Sequence, residues 1–249
     1  MKELIDGYRM LYETANIPNG YRHKGKRVAF CELSHFWGMK GRFYDNQQIR
    51  LLLVGRAPNG WMQLDTSSCE AFARDAVDRT CSDHFSWIHC DKGRLHNAPD
   101  ENGHFYTLSG SPFWRTSQRI WEALTGNPDF QNSEQLHWLD CIAWTNLYKL
   151  APKDGGNPTE TMKKQQLSAC KEILRAEIAY FKPTHILFVT GYRGWFEPFQ
   201  NLFDADFSLV SQNVEATAVT RYGTKIAIAC RPERHSESAF IKDITHALH

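Results

Sequence analysis

Thr145-Asn146-Leu147-Tyr148-Lys149 closes an apolar run and opens onto a Pro- and Gly-rich loop, Ala151-Pro152-Lys153-Asp154-Gly155-Gly156-Asn157-Pro158. A long amphipathic segment follows, Thr159 to Phe181, with Leu167, Cys170, Leu174, Ile178 and Phe181 as its apolar stripe. Pro183 ends it, and a second apolar run begins at His185. This order of strand, loop, helix and strand places an amide and a lysine at the carboxyl end of a buried strand, where open α/β sheets bind ligands. An Asn there offers one acceptor and two donors in a fixed plane, the groups needed to read a nucleobase edge.

Upstream, the apolar run Ile49-Arg50-Leu51-Leu52-Leu53-Val54 predicts a buried strand over Gln48 to Val54. It turns directly into Gly55-Arg56-Ala57-Pro58-Asn59-Gly60-Trp61, a corner whose glycines let backbone amides approach a ligand closely. Residues 2–15 predict a short helix, because Leu4, Ile5, Tyr8, Leu11 and Tyr12 share one face. The basic run Arg22-His23-Lys24-Gly25-Lys26-Arg27 reads as a solvated loop in preference to a phosphate contact. Leu139 to Thr145, His185 to Thr190 and Lys225 to Cys230 predict further strands. Helices are expected over Ser117 to Leu124, over Trp195 to Phe203 and after a cap at Ser236. Residues 62–107 are polar, irregular and rich in Cys and His, and read as an insertion within a single domain spanning 1–249. Strands alternating with helices predict an α/β fold whose mainly parallel sheet is covered on both faces.

A chain of 249 residues is long enough to bury a substantial core. No apolar stretch is long enough to cross a membrane, and Met1-Lys2-Glu3-Leu4-Ile5-Asp6-Gly7 lacks the apolar core of a signal peptide. Seven cysteines without paired spacing fit reduced thiols, so the expected location is cytoplasmic. The formal net charge is only +1, which leaves attraction to nucleic acid to a local patch.

Taken together, the corners resemble the uracil-DNA glycosylase superfamily, most closely its family-four branch. Gly55-Arg56-Ala57-Pro58-Asn59-Gly60 looks like the family's Gly-Glu-Ala-Pro-Gly motif, and Gly110-Ser111-Pro112-Phe113-Trp114-Arg115-Thr116-Ser117 is similar to its Gly-Arg-Pro-Phe-Val-Gly-Arg-Ser segment. Thr145 to Lys149, followed by Gly156-Asn157-Pro158-Thr159, matches its Thr-Asn-Val-Val-Lys strand and Pro-rich loop. Phe181-Lys182-Pro183-Thr184-His185-Ile186 resembles the next strand, and Arg231-Pro232-Glu233-Arg234-His235-Ser236 takes the place of the final His-Pro-Ser loop. The segments run in order over roughly residues 48–249. The fold this resemblance implies is a three-layer α/β/α arrangement around a central, mainly parallel four-stranded sheet. The activity it implies is hydrolysis of an N-glycosidic bond of uracil or another damaged base in DNA, with the target nucleotide flipped into a pocket. Phe113 would support the flipped base and Asn146 would read it, with Gly55, Arg56, Ala57, Pro58 and Lys149 lining the substrate site. Arg234 and His235 would contact DNA from the last loop.

The catalytic positions depart from the family. The family-four Glu is Arg56 here, the acidic position of other branches is Ala57, and the His of the last loop is Arg231. Asn59 is the candidate for positioning water, Arg231 for stabilising the departing base, and Glu233 for replacing the missing carboxylate. Family-four enzymes hold an iron–sulfur cluster through four cysteines. Only Cys170 matches, Leu150 stands at another of those positions, and no cluster or other cofactor is expected. Cys81, His84, His89 and Cys90, with Cys69 nearby, are spaced closely enough to enclose zinc but match no standard module, and no metal is expected. The expected partner is DNA, damaged or single-stranded, bound by a monomer with no membrane role. Two other functions stay open: a nucleic-acid binder that has lost the chemistry, and an α/β enzyme acting on free nucleotides or nucleosides.

Overall fold

The computed structural model of the protein describes residues 1–16, 21–61, 63–91, 94–98, 106–126, 137–210, 212–233 and 235–249. In chain order its main elements are α1 (Lys2–Asn16), β1 (Met39–Lys40), β2 (Leu51–Gly55), α2 (Cys69–Ser82), α3 (Pro112–Thr125), β3 (Ala143–Asn146), α4 (Glu160–Phe181), β4 (His185–Val189), β5 (Val214–Val219), β6 (Lys225–Ala229) and α5 (Glu237–Leu248). The main strands form one mixed sheet in the order β5-β6-β4-β2-β3-β1. Its inner pairs, β6 with β4, β4 with β2 and β2 with β3, are parallel. Antiparallel β5 and β1 close the two edges.

The expected four-stranded sheet therefore has six strands. The edges were illegible for different reasons. β1 has only two residues, too few for any period, and β5 alternates buried and part-exposed positions with small Ala and Thr side chains that weaken the signal. The inner strands are apolar throughout because they are buried on both faces: every residue of β2 and β3 is buried, and all but the first of β4 and β6.

Thr159 caps α4, its side chain accepting from the Met162 N–H, and Lys182 ends the helix in a left-handed conformation just before Pro183. Helix α1 packs on both α2 and α4, while α5 packs on α3, β5 and β6. Among the described residues no helix is long and apolar enough to cross a membrane.

Residues 62–107 depart from the irregular insertion expected. They contain α2, capped by Ser68, and a short hairpin pairing Ile88–Asp91 with Arg94–Asn97. The buried face of α2 is Phe72, Ala73, Ala76, Val77 and Thr80, a helical stripe too poor in large apolar residues to stand out. The helix expected from Trp195 is instead a turn over Tyr192–Phe196 and a 3-10 segment over Glu197–Leu202. Arg22–His23 and Lys26–Arg27 form a small hairpin of largely exposed residues.

Candidate functional site

β2 and β3 are parallel neighbours in register, so their carboxyl ends place Gly55 directly beside Asn146. Pairing runs on past the strands, with Leu147 N–H donating to the Gly55 carbonyl at 2.9 Å and Tyr148 N–H to Arg56 at 3.0 Å. The same corner receives the first turn of α3, which starts at Pro112 and so carries Phe113 in a fixed position. A cleft of about 330 Å³ opens there, walled by Gly55, Arg56, Ala57, Phe113, Asn146 and Arg231 among others. That is near the lower bound for small-ligand pockets.

Asn146 is 3% exposed, lines the cleft, and its side chain makes no hydrogen bond to the described residues. Its amide opens onto the cleft, where its acceptor and two donors are free to bond a group that enters. Gly55 explains how it fits. A Cβ at Gly55 would lie 2.2 Å from Asn146 Oδ1 and 3.7 Å from Phe113 Cζ, so only glycine lets amide and ring converge over the strand end.

Asn59 ties the two corners together. Its Oδ1 accepts from the Gly156 N–H at 2.6 Å, and Gly155 and Gly156 hold φ of +90° and +88°, where a side chain would be strained. The Asn59 amide nitrogen has no acceptor among the described residues and the residue lines the cleft. Arg56 sits between the cleft and a neighbouring groove that includes Gly191, Tyr192, Arg193 and Glu215. Its Nε donates to the Thr190 carbonyl at 2.7 Å and its guanidinium stacks 4.6 Å from the Trp195 ring centre. Burial, and next the charge of Arg231, lower its pKa to about 10, opposed by Glu233 and Glu215. It therefore stays cationic at neutral pH, held at the cleft's edge.

The remaining expected residues are placed as follows. Arg231 lines the cleft and is ion-paired with Glu233, itself outside the wall. Pro58 is buried and reaches only an adjoining cavity. His235 contacts Cys230 Sγ through Nε2 at 3.5 Å and does not line the cleft, and Arg234 lies outside the described residues. Lys149 differs most from expectation. It is fully buried, its Nζ donating to both oxygens of Glu177 at 2.9 and 2.8 Å and to Thr145 Oγ1 at 2.5 Å. Glu177 also accepts from the Gly38 N–H at 3.0 Å and the Thr145 hydroxyl at 2.7 Å. Successive strand residues point to opposite faces, so Thr145 turns into this network and Asn146 into the cleft.

Two helix residues that the sequence gave no reason to single out hold the strand end in place. Besides Glu177, Gln166 of α4 accepts from the N–H groups of Lys149 and Leu150 at 3.1 and 2.9 Å and donates to the Leu150 carbonyl at 3.0 Å. Cys170 lies fully buried beside Gln166, and burial pushes its thiol up to about 12. Among the described residues no cluster of three or more His, Cys, Asp or Glu is arranged to hold a metal. Cys81 is exposed and His84 bonds the Lys40 carbonyl, while the Cys90 side chain lies outside the described residues.

The described wall of the cleft carries two arginines, three asparagines and no carboxylate. That surface suits an anionic, planar partner. No family model matches the chain, and no curated protein matches it.

Proposed function

We propose that the protein binds DNA with one nucleotide flipped out of the stack, and hydrolyses the N-glycosidic bond of uracil or another damaged base. On this reading the fold is the three-layer, uracil-DNA glycosylase-like one. The observation that carries the proposal is the Asn146 amide, without a partner among the described residues, converging with the Phe113 ring over Gly55. A flipped base slides between the two, its face on Phe113 and its edge on Asn146. As the C1′–N bond breaks, its electron pair leaves with the base, and the Arg231 guanidinium stabilises that charge. Water, oriented by the Asn59 amide, attacks C1′; its oxygen becomes the sugar hydroxyl and its proton passes to the released base. Arg56, anchored on Thr190 and Trp195, faces the phosphates instead of opposing the developing cation.

One observation favours a second reading. Arg231 and Glu233 pair with each other, and no carboxylate faces the cleft among the described residues, as in a binder that has given up the chemistry. Oligonucleotides carrying uracil, hypoxanthine or xanthine decide between the two. Alkali-labile product from any of them supports hydrolysis. Salt-sensitive binding with no product from any of them sinks hydrolysis and leaves the binder. Nucleoside turnover without DNA affinity would overturn both.

A further inference from the structure

The run Arg22-His23-Lys24-Gly25-Lys26-Arg27 puts four cations and no carboxylate into one short stretch of a chain whose formal net charge is only +1. It folds into a tight basic hairpin that sets Arg22 opposite Arg27 and His23 opposite Lys26. Its base is fixed. Val28 N–H donates to the Tyr21 carbonyl at 2.9 Å, and the buried Tyr21 hydroxyl donates to the Leu11 carbonyl at 3.0 Å. Two features of this hairpin work against stability. Like charges directly opposite one another repel. Lys24 holds φ of +49° beside Gly25 at +79°, as a two-residue hairpin turn requires, where Asn or Gly would be less strained. The cations Arg22, Lys24, Lys26 and Arg27 are all exposed, and none forms an ion pair among the described residues. A polyanion laid over the turn relieves that repulsion.

The basic hairpin also sits beside the cleft. Arg22 N–H donates to Gln165 Oε1 of α4 at 3.2 Å, and the hydroxyl of Thr159, the cap of that helix, donates to the Arg22 carbonyl at 3.4 Å. His23 shares a groove of about 400 Å³ with Lys153 and Asp154. A Cβ at Gly60 would lie 3.7 Å from the Lys153 carbonyl oxygen, so this loop packs on the first corner. From Asp154 the chain runs directly to Gly156 and Asn157, which line the cleft, over a span of at most ~11 Å.

We infer that the basic hairpin is a second anchor on DNA, gripping the sugar–phosphate backbone a few nucleotides from the one that enters the cleft. The inference rests on the DNA-binding reading and adds the surface that holds the strand outside the cleft. Exposed Lys153 continues the grip toward the cleft. Glu32 and Asp154 line the groove itself, so the backbone rides over the exposed cations and stays out of it. Phosphate contacts position a strand without reading its sequence, and each one releases counterions. Affinity therefore depends on strand length and on salt through this hairpin, while preference for a base does not.

Single-stranded oligonucleotides test it by fluorescence anisotropy over a range of salt: short and long strands with a central uracil, a long strand with hypoxanthine and a long unmodified strand. The short strand covers the cleft alone. The full chain is expected to bind the long uracil strand at least about tenfold more tightly than the short one. Combining Arg22→Gln, Lys24→Gln, Lys26→Gln and Arg27→Gln is expected to abolish that advantage. The plot of log affinity against log salt then becomes shallower by about 3 on long strands, the loss of four phosphate contacts to a single strand. Short-strand affinity and base preference are expected to stay within about twofold. Lys24→Gly is the second variant should the first fail to fold, with long-strand binding about threefold weaker and the melting temperature unchanged or higher. A control combines Lys2→Gln, Arg175→Gln, Arg221→Gln and Lys242→Gln, exposed cations on other elements, and is expected to keep the length advantage. An unchanged advantage and slope in the folded hairpin variant, or an equal loss in the control, overturns the inference and leaves the cleft reading standing. A full chain that prefers neither modified strand overturns base binding instead, and the unmodified strand still decides the role of the hairpin.

Discussion

The Asn146 side chain makes no hydrogen bond to the described residues, which separates its role from a structural one. Truncating a partnered buried amide costs stability, whereas truncating one that bonds no neighbour and opens onto a cleft costs little. Asn146→Ala is therefore expected to leave the melting temperature unchanged or higher while weakening binding of a base-modified strand about 10- to 100-fold, the range for one well-placed base contact. Calorimetry and anisotropy on the same preparation check both halves. Gly55→Ala acts differently. Its methyl would meet Asn146 Oδ1 at 2.2 Å, so binding is expected to fall as far, with a stability loss of about 1–3 kcal/mol from overpacking, measured by urea titration. Both positions were legible, because a glycine corner and an amide at adjacent strand ends are local patterns. Lys149 was not. A lysine near a strand end invites a ligand role, and nothing in the local sequence tells that a carboxylate from α4 waits beneath it.

Helix α4 positions the cleft without touching it. Glu177 meets Lys149, Thr145 and Gly38, and Gln166 holds the backbone that follows β3. The helix was legible from its stripe, its Thr159 cap and Pro183, and helical spacing sets Gln166 and Glu177 beside Cys170, but their polar side chains kept them out of that stripe. Their burial depends on what packs there, which is tertiary information. Lys149→Met strands the Glu177 carboxylate in the core and is expected to cost about 3–5 kcal/mol in urea unfolding. Lys149→Met combined with Glu177→Gln keeps an acceptor for the Gly38 N–H without a buried charge, and is expected to recover much of that loss. An additive double variant would refute the coupling. α2 and the hairpin stand at the other extreme. Their weak pattern left Trp87 and Tyr106 within a stretch that reads as loop.

For the molecule as a whole, the parallel inner strands followed from alternating apolar runs, while the two antiparallel edges did not, because edge strands need only short or half-buried segments. Stability carries its own pH signature. His35 is buried, with Nδ1 accepting from the Leu64 N–H at 3.1 Å and Nε2 donating to the Phe30 carbonyl at 3.1 Å, so both ring nitrogens are satisfied only in the neutral form. Burial lowers its pKa from the ordinary 6.5 to about 4. The unfolded chain takes up the proton first as pH falls. His35 thus contributes its full stability above pH 6.5 and loses it progressively toward pH 4, by about 3 kcal/mol. Urea midpoints between pH 7 and 4 are expected to flatten in His35→Gln, and an unchanged profile would refute the assignment.

The register that sets Gly55 beside Asn146 also bears on how the chain acquires its cleft. The two residues lie far apart in sequence, with α2, the hairpin and α3 between them. Closing so long a loop precedes any reward from the pairing, so the cleft is expected to form after the local helices, an order that hydrogen-exchange labelling during refolding checks. A ligand seated there recognises only the finished chain, and shifts the population from open forms toward the native one by mass action. Resistance to limited proteolysis is then expected to rise with the concentration of any ligand that fits the cleft.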